Sequence, residues 1–249
     1  MNTLISALNS ASSVGVLTGA GVSTLSGIPD FRGPQGLYRL PDAERIFDID
    51  WFDRDPRIYY RGAHELVYGL GQFEPNLVHR ALVHLETRGL LKGIATQNID
   101  MLHQKAGSKI VHEVHGSPLL HHCRTCGAAF SFDAVMADIA QHGGPEKLGN
   151  DYVPRCSCGG VLKPDITFFG ESLPEAAFSA SVQLAETCDV FLVLGTSLTV
   201  YPAANLPRLA LQKGAKLFIV NAQPTALDAL AAGCYPDLKA FAEAVLAES

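Results

Sequence analysis

Short apolar runs recur along the chain, each followed at once by polar residues. Residues 14–18 (VGVLT), 93–96 (GIAT), 189–194 (DVFLVL) and 216–220 (KLFIV) are dominated by aliphatic and β-branched side chains without polar alternation. Runs of that length predict strands buried on both faces, as in a parallel sheet. Between them the period changes. Val78, Ala81, Leu82 and Leu85 form one stripe of a helix that Gly89 can end. Leu238, Phe241, Ala242 and Val245 give residues 236–246 a packing face, so a closing helix is expected there. Strands alternating with helices predict an α/β fold, a parallel sheet with helices on both faces and ligands held outside the carboxyl ends of the strands. Two stretches break the rhythm: residues 34–76, rich in Tyr, Arg, Asp and Pro, and residues 118–170, which contain two tight cysteine pairs. Both are expected to form a smaller inserted lobe, leaving residues 1–33, 77–117 and 171–249 to the large domain.

Composition narrows the class. A chain of 249 residues with 47% hydrophobic content can bury a large core. No apolar run approaches the roughly 20 residues that cross a bilayer. The opening MNTLISALNSASS lacks the basic flank of a secretory signal and the arginines of a transit peptide, so a cytoplasmic protein without a membrane partner is expected. A net charge of -6 argues against binding to a nucleic-acid backbone and suits a basic, lysine-bearing protein segment better. Neither an internal repeat nor a low-complexity tract suggests an appended module.

The candidate chemistry lies at strand ends. GAGVS places Gly19 and Gly21 after the first strand but Thr24 where a dinucleotide fingerprint has its third glycine, so a plain strand-to-helix turn is an equal reading. Its continuation SGIPDFRG presents Asp30, Phe31 and Arg32 on one loop, a carboxylate, a ring and a cation suited to a ribose and pyrophosphate. Gln97, Asn98, Ile99 and Asp100 follow a second strand, Gly195, Thr196 and Ser197 a third, and Asn221 a fourth. Each could simply cap the next helix. Gathered at one sheet edge, they would bind hydroxyls and a carboxamide without net charge.

Cys123-Arg-Thr-Cys126 and Cys156-Ser-Cys158 flank the 29 residues 127–155, and each pair precedes a glycine. Four thiolates at such spacing predict one tetrahedral Zn2+, structural because no coordination position is left for water. Cys188 and Cys234 lack partner spacing. Of nine histidines, His115 differs only by context, in VHEVHGSP ahead of the cysteine lobe, where a group titrating near neutral pH could serve as general base. The other eight are expected to be satisfied surface or interior groups.

In order along the chain, GAGVSTLSGIPDFRG, TQNIDMLH, VHG, the four cysteines, KPDITFFGESLP, GTSLTVYPA and IVNAQ resemble the catalytic core of the sirtuins, NAD-dependent protein lysine deacylases, in its compact bacterial or archaeal form. The resemblance spans nearly the whole chain. It implies a Rossmann-like large domain, with residues 34–76 as a helical module and 118–170 as a zinc module, and NAD and acyl-lysine entering a cleft from opposite sides. NAD would be consumed rather than used for hydride transfer. The acyl oxygen would attack C1′ of the nicotinamide ribose, nicotinamide would leave, and His115 would act as general base on a ribose hydroxyl. The products would be free lysine, nicotinamide and O-acyl-ADP-ribose. The resemblance assigns NAD contacts to Ala20, Thr24, Phe31, Arg32, Gln97, Thr196, Ser197 and Asn221, and the nicotinamide pocket to Asn98, Ile99 and Asp100. It gives Thr167, Phe168, Phe169 and Gly170 to an extended substrate segment paired as a strand. Tyr60 matches the tyrosine of a Tyr-x-x-Arg pair that holds acidic acyl groups, with Ala63 at the arginine position. An NAD-dependent oxidoreductase, a dominant ADP-ribosyltransferase and a zinc-dependent NAD sensor are the rival readings.

Overall fold

The computed structural model describes residues 1–30, 36 and 43–248. In chain order the strands are β1 (Val14–Thr18), β2 (Leu91–Thr96), β3 (Val111–Glu113), β4 (Gly116–Cys123), β5 (Ala129–Ser131), β6 (Leu162–Ile166), β7 (Val190–Leu194), β8 (Lys216–Val220) and β9 (Gly233–Tyr235). The helices are α1 (Asn2–Ser10), α2 (Ala43–Ile46), α3 (Ile49–Arg54), α4 (Arg57–Ala63), α5 (Leu77–Thr87), α6 (Leu102–Ala106), α7 (Phe132–Gln141), α8 (Glu175–Thr187), α9 (Leu206–Gln212) and α10 (Leu238–Leu246). Two compact units emerge, one of Met1–Asp30, Phe73–Val114 and Pro174–Ser249, the other of Phe31–Gln72 and His115–Leu173.

The first unit is a six-stranded sheet in the order β3-β2-β1-β7-β8-β9, every neighbouring pair parallel. Counting its own strands alone, that is 3-2-1-4-5-6, the doubly wound order whose switch point lies between β1 and β7. Side chains alternate between two cores as strand pleating requires. Val14, Val16, Val190, Leu192, Leu194, Phe218 and Val220 join one cluster with Leu82 and Leu85 of α5 and Phe241 and Val245 of α10. Leu17, Phe191, Val193, Leu217 and Ile219 join the other with Leu206 and Ala210 of α9. The apolar stripe of α5 is therefore core, and the helix starts on a capping box in which Asn76 accepts from Val78 N–H while its own N–H is accepted by His79 Nδ1. The closing helix starts later than expected, at Leu238, because the Asp237 carboxylate caps Lys239 and Ala240.

In the second unit β5, β4 and β6 form an antiparallel sheet in that order. Its core is aromatic: Phe47, Phe52, Tyr59, Tyr60, Tyr68 and Phe168 meet in a chain of ring contacts with centroids 5.0–6.3 Å apart. The Tyr- and Phe-rich composition of residues 43–72 thus supplies a packed interior. Among the described residues no helix is long and apolar enough to cross a membrane.

Three histidines depart from the expectation of ordinary satisfied groups. His79, His103 and His121 are almost wholly buried, and each has one ring nitrogen without a hydrogen-bond partner. Burial disfavours the imidazolium and lowers His79 to about 4, His103 to about 3 and His121 to about 4; neighbouring His79 adds to the effect on His103, and Lys163 to that on His121. Because the folded values lie below the unfolded one of about 6.5, the unfolded chain binds more protons between about pH 6.5 and 4. Stability present above pH 6.5 is therefore lost as pH falls through that window, by up to about 1.4 kcal/mol per pH unit for each histidine. Urea unfolding at pH 7.0, 6.0 and 5.5 should show the midpoint falling, with the native Cε1–H resonances of all three rings still unprotonated at pH 5.5. A ring that titrates natively near pH 6.5 would remove its share.

Candidate active site

The carboxyl ends of β1 and β7 meet across the switch point with no room for side chains. A Cβ on Gly19 would lie 2.6 Å from Thr196 Cβ and 2.8 Å from the Gly195 carbonyl oxygen, and one on Gly21 would lie 2.9 Å from Gly195 Cα. Gly195 itself has φ +62, a left-handed backbone that favours glycine. The approach is locked by backbone hydrogen bonds: Gly19 N–H to Leu194 O (3.0 Å), Gly21 N–H to Gly195 O (2.9 Å) and Gly195 N–H to Val220 O (2.9 Å). Residues Ala20–Ser26 then wind into a 3-10 helix.

Around this contact the polar residues named from the sequence converge. Gln97 donates through Nε2 to Thr196 Oγ1 (3.0 Å). Asn98 donates its two amide hydrogens to Gly19 O and Ser23 Oγ (3.1 Å each), and Ser23 Oγ donates to the Asp100 carboxylate at 2.5 Å. Asn98, Asp100 and Thr196 are each 8% exposed. Burial raises Asp100, with the Ser23 hydroxyl and the Leu102 N–H opposing that shift. Ile99, Ala20, Ser197 and Asn221 are half-buried, and Thr24 is exposed with its hydroxyl on Gly21 O. Asn221 closes its own turn, Nδ2 to Gln223 O at 2.7 Å. Asp30 is half-buried; Phe31 and Arg32 lie outside the described residues. The only non-glycine residues described with positive φ, Met101 (61) and Leu198 (56), sit in these same loops. Sequence reasoning passed over Ser23 and Thr18, whose hydroxyls complete the cluster. Their one signal was a hydroxyl two residues past Gly21 or at a strand's last position.

In the second unit His115 is half-buried and precedes Gly116, where φ is +69 and a Cβ would collide with the Asp165 carbonyl oxygen. The β4–β6 pairing at Gly116 and Ile166 thus demands glycine, and the His115 carbonyl accepts from Thr167 N–H at 2.8 Å. Phe168 is buried in the aromatic core, whereas Phe169 is 46% exposed and pairs its backbone with Phe47 O (2.7 Å) and Ile49 N–H (3.1 Å). A partly buried ion pair stiffens the segment: Lys163 Nζ lies 2.8 Å from Glu171 Oε2, which also accepts from Phe168 N–H, and 4.0 Å from the centre of the Phe168 ring. On α4, Tyr60 and Ala63 are fully buried, and the Tyr60 hydroxyl donates to Leu162 O at 2.5 Å. Arg61 points away, exposed and 3.3 Å from Asn150 Oδ1.

The Sγ atoms of Cys123, Cys126, Cys156 and Cys158 all lie within 4.8 Å of one another, with three separations of 3.5, 3.5 and 3.7 Å. Tetrahedral zinc with bonds of about 2.3 Å needs sulfurs about 3.8 Å apart, so the residues fit the metal. Charge points the same way. The Cys126 backbone N–H leads in lowering Cys123 to about 6, whereas Cys158, despite the Gly160 backbone donor, is pushed up to about 12 by the sulfurs of Cys126, Cys123 and Cys156. Four thiolates this close require a cation. Elemental analysis should find one zinc per chain; serine at any of the four positions should lose it, while Cys188→Ser and Cys234→Ser keep it. Metal-free protein purified without chelator would refute this.

Residues 19–202 match the family model described as Sir2 family. The "NAD-dependent protein deacetylase" of Thermotoga maritima is 41% identical over 250 residues, covering 100% of this chain and 98% of its own. The "NAD-dependent protein deacylase 2" of Archaeoglobus fulgidus is 43% identical over 215 residues, covering 86% and 81%. A solved Sir2 structure with a deacetylated p53 peptide and 3′-O-acetyl ADP-ribose superposes with TM-score 0.90 at 40% identity, covering 99% of this chain and 97% of that one. Another, with a p53 peptide and NAD+, gives 0.86 at 40% identity with the same coverage. A matching family model over most of the chain, relatives above 40% identity and a shared fold over nearly every residue establish that this chain belongs to the Sir2 family.

Proposed function

We propose that the chain is a cytoplasmic NAD-dependent protein lysine deacylase, transferring the acyl group from lysine to ADP-ribose with release of nicotinamide. One observation carries the reading: a buried cluster of amides and hydroxyls, with Asp100 its one carboxylate, at the switch point of a doubly wound sheet in a Sir2 chain. Relatives named as NAD-dependent deacetylases and neighbours solved with NAD+ and acylated or deacetylated peptides support it.

NAD supplies an electrophilic C1′ once its nicotinamide bond weakens. Gln97, Asn98, Ile99 and Asp100 would hold the carboxamide and ribose, with Gly19, Ala20, Gly21, Thr24, Asp30, Phe31, Arg32, Gly195, Thr196, Ser197 and Asn221 along the rest of the dinucleotide. His115 takes the proton of a ribose hydroxyl, and its backbone tie to Thr167 keeps it in register with the peptide segment. Since the Phe169 backbone is already paired with residues 47–49, an extended acyl-lysine segment would use the backbone of Gly170 beside it. The four cysteines would hold a structural zinc with no coordination position open for chemistry.

His115→Ala should lower deacylation at least ~100-fold with zinc and NAD binding retained. NAD incubated with an acetyl-lysine peptide and followed by mass spectrometry tests the reading itself. Nicotinamide and O-acetyl-ADP-ribose are expected; NADH, or ADP-ribose fixed to protein as the main product, would replace it.

Acyl preference follows from α4. By the resemblance, Ala63, fully buried on α4, stands where an arginine would pair with a distal carboxylate, and Arg61 is turned outward toward Asn150. An unpaired buried carboxylate costs several kcal/mol. Acetyl-lysine should therefore exceed succinyl-lysine in kcat/KM by at least ~10-fold, or ~1.4 kcal/mol. Comparable desuccinylation abolished by Arg61→Ala would reverse the assignment.

A further inference from the structure

Beneath the strand ends of β1 and β2 runs a buried polar chain that the proposed chemistry does not use. The Thr18 hydroxyl donates to Thr96 Oγ1 at 2.8 Å and lies 2.9 Å from His103 Nε2. Thr96 Oγ1 also accepts the Asn98 N–H at 3.1 Å. Thr18, Thr96 and His103 are at most 2% exposed. A hydroxyl has one hydrogen, and that of Thr18 is committed to Thr96, so His103 must donate through Nε2–H and carry its lone pair on Nδ1. On the other flank His79 accepts the Asn76 N–H through Nδ1, which makes it an Nε2–H imidazole too, and the two rings pack with centroids 4.8 Å apart. Asn76 in turn donates through Nδ2 to Val22 O and Ser26 Oγ of the 3-10 helix. The His103 ring therefore sits at the root of a donor series that ends on Thr96 Oγ1, the same oxygen that accepts the Asn98 N–H.

We propose that His103 is a positioning residue for the nicotinamide-side loop, acting as a fixed Nε2–H donor through Thr18 and Thr96 to set the backbone of Asn98. The inference rests on the proposed role of Asn98. Its mechanism is geometric: Asn98 aims both amide hydrogens at Gly19 and Ser23, and that aim is kept only while its N–H stays on Thr96. Removing the first donor lets the Thr18 hydroxyl turn away from Thr96, so the Thr96 Oγ1 that receives the Asn98 N–H loses its anchor and the loop its reference point.

Nitrogen-15 NMR of the histidine rings in the full chain should give His103 as the neutral Nε2–H tautomer. Thr18→Val preserves shape and strand preference and should raise KM for NAD at least ~10-fold while KM for an acetyl-lysine peptide changes less than ~2-fold. His103→Phe should do the same, and His103→Gln, whose amide can donate near the Nε2 position, should return the NAD value to within ~3-fold. Where His103→Phe fails to fold, Thr18→Val carries the test. An Nδ1–H tautomer, or a folded Thr18→Val variant with unchanged KM for NAD, overturns the proposal alone. A wild-type chain that consumes no NAD overturns the functional reading and this inference with it.

Discussion

The first unit depends on one constraint, the backbone contact of two loops at the point where the strand order of its sheet reverses. The Gly19–Gly21 turn and Gly195 come so close that a methyl group on any of the three would strike backbone or Thr196. In an all-parallel sheet every carboxyl end lies on the same side, so at the switch point the loops after β1 and β7 diverge to opposite faces. Here glycine holds them together. The contact is closed by main-chain hydrogen bonds, so it consumes no side chain. Gln97, Asn98 and Thr196 build the polar surface above it through their own hydrogen bonds.

That surface is polar and buried, a combination that destabilises unless each group finds a partner. Every member does. Both amide hydrogens of Asn98 are committed, which fixes the amide's orientation, and Ser23 relays between Asn98 and Asp100. Asp100 is the cluster's one carboxylate, and its burial works against its charge. Such a site discriminates by hydrogen-bond geometry rather than by field strength, which suits a carboxamide and ribose hydroxyls better than a phosphate.

The second unit solves a different problem. Its three-stranded sheet is near the smallest that can be stable by itself. An aromatic cluster secures one part, and four sulfurs arranged for a cation secure another. Gly116 is the joint between them and His115. Because only glycine tolerates the Asp165 carbonyl at that register, the His115 backbone cannot shift without breaking the β4–β6 pairing, and Thr167 moves with it.

Which of these features could be read from the sequence follows from where each residue sits. The strands β1, β2, β7 and β8 are the four interior ones, buried on both faces, and they stand out as apolar runs. The strands β3 and β9 form the two edges, and their residues (Val-His-Glu and Gly-Cys-Tyr) are partly exposed, so no hydrophobic pattern marks them. The cysteines were legible because metal geometry constrains spacing along the chain. The buried histidines were not. His79 occupies the third position of α5 beside Val78, and nothing in the local pattern tells a solvated first-turn histidine from one turned inward against His103. Thr18 reads as the last β-branched residue of a strand, and its hydroxyl gains meaning only when β2 is laid alongside, with Thr96 opposite it in register. Polar networks of this kind depend on contacts between distant segments, here 78 and 85 positions apart. Sequence periodicity reports how each element meets its core, whereas a hydrogen bond between two strand ends depends on how the elements are arranged in space. The cofactor loops could therefore be located from their residues, while the groups that hold those loops became visible only in the assembled sheet.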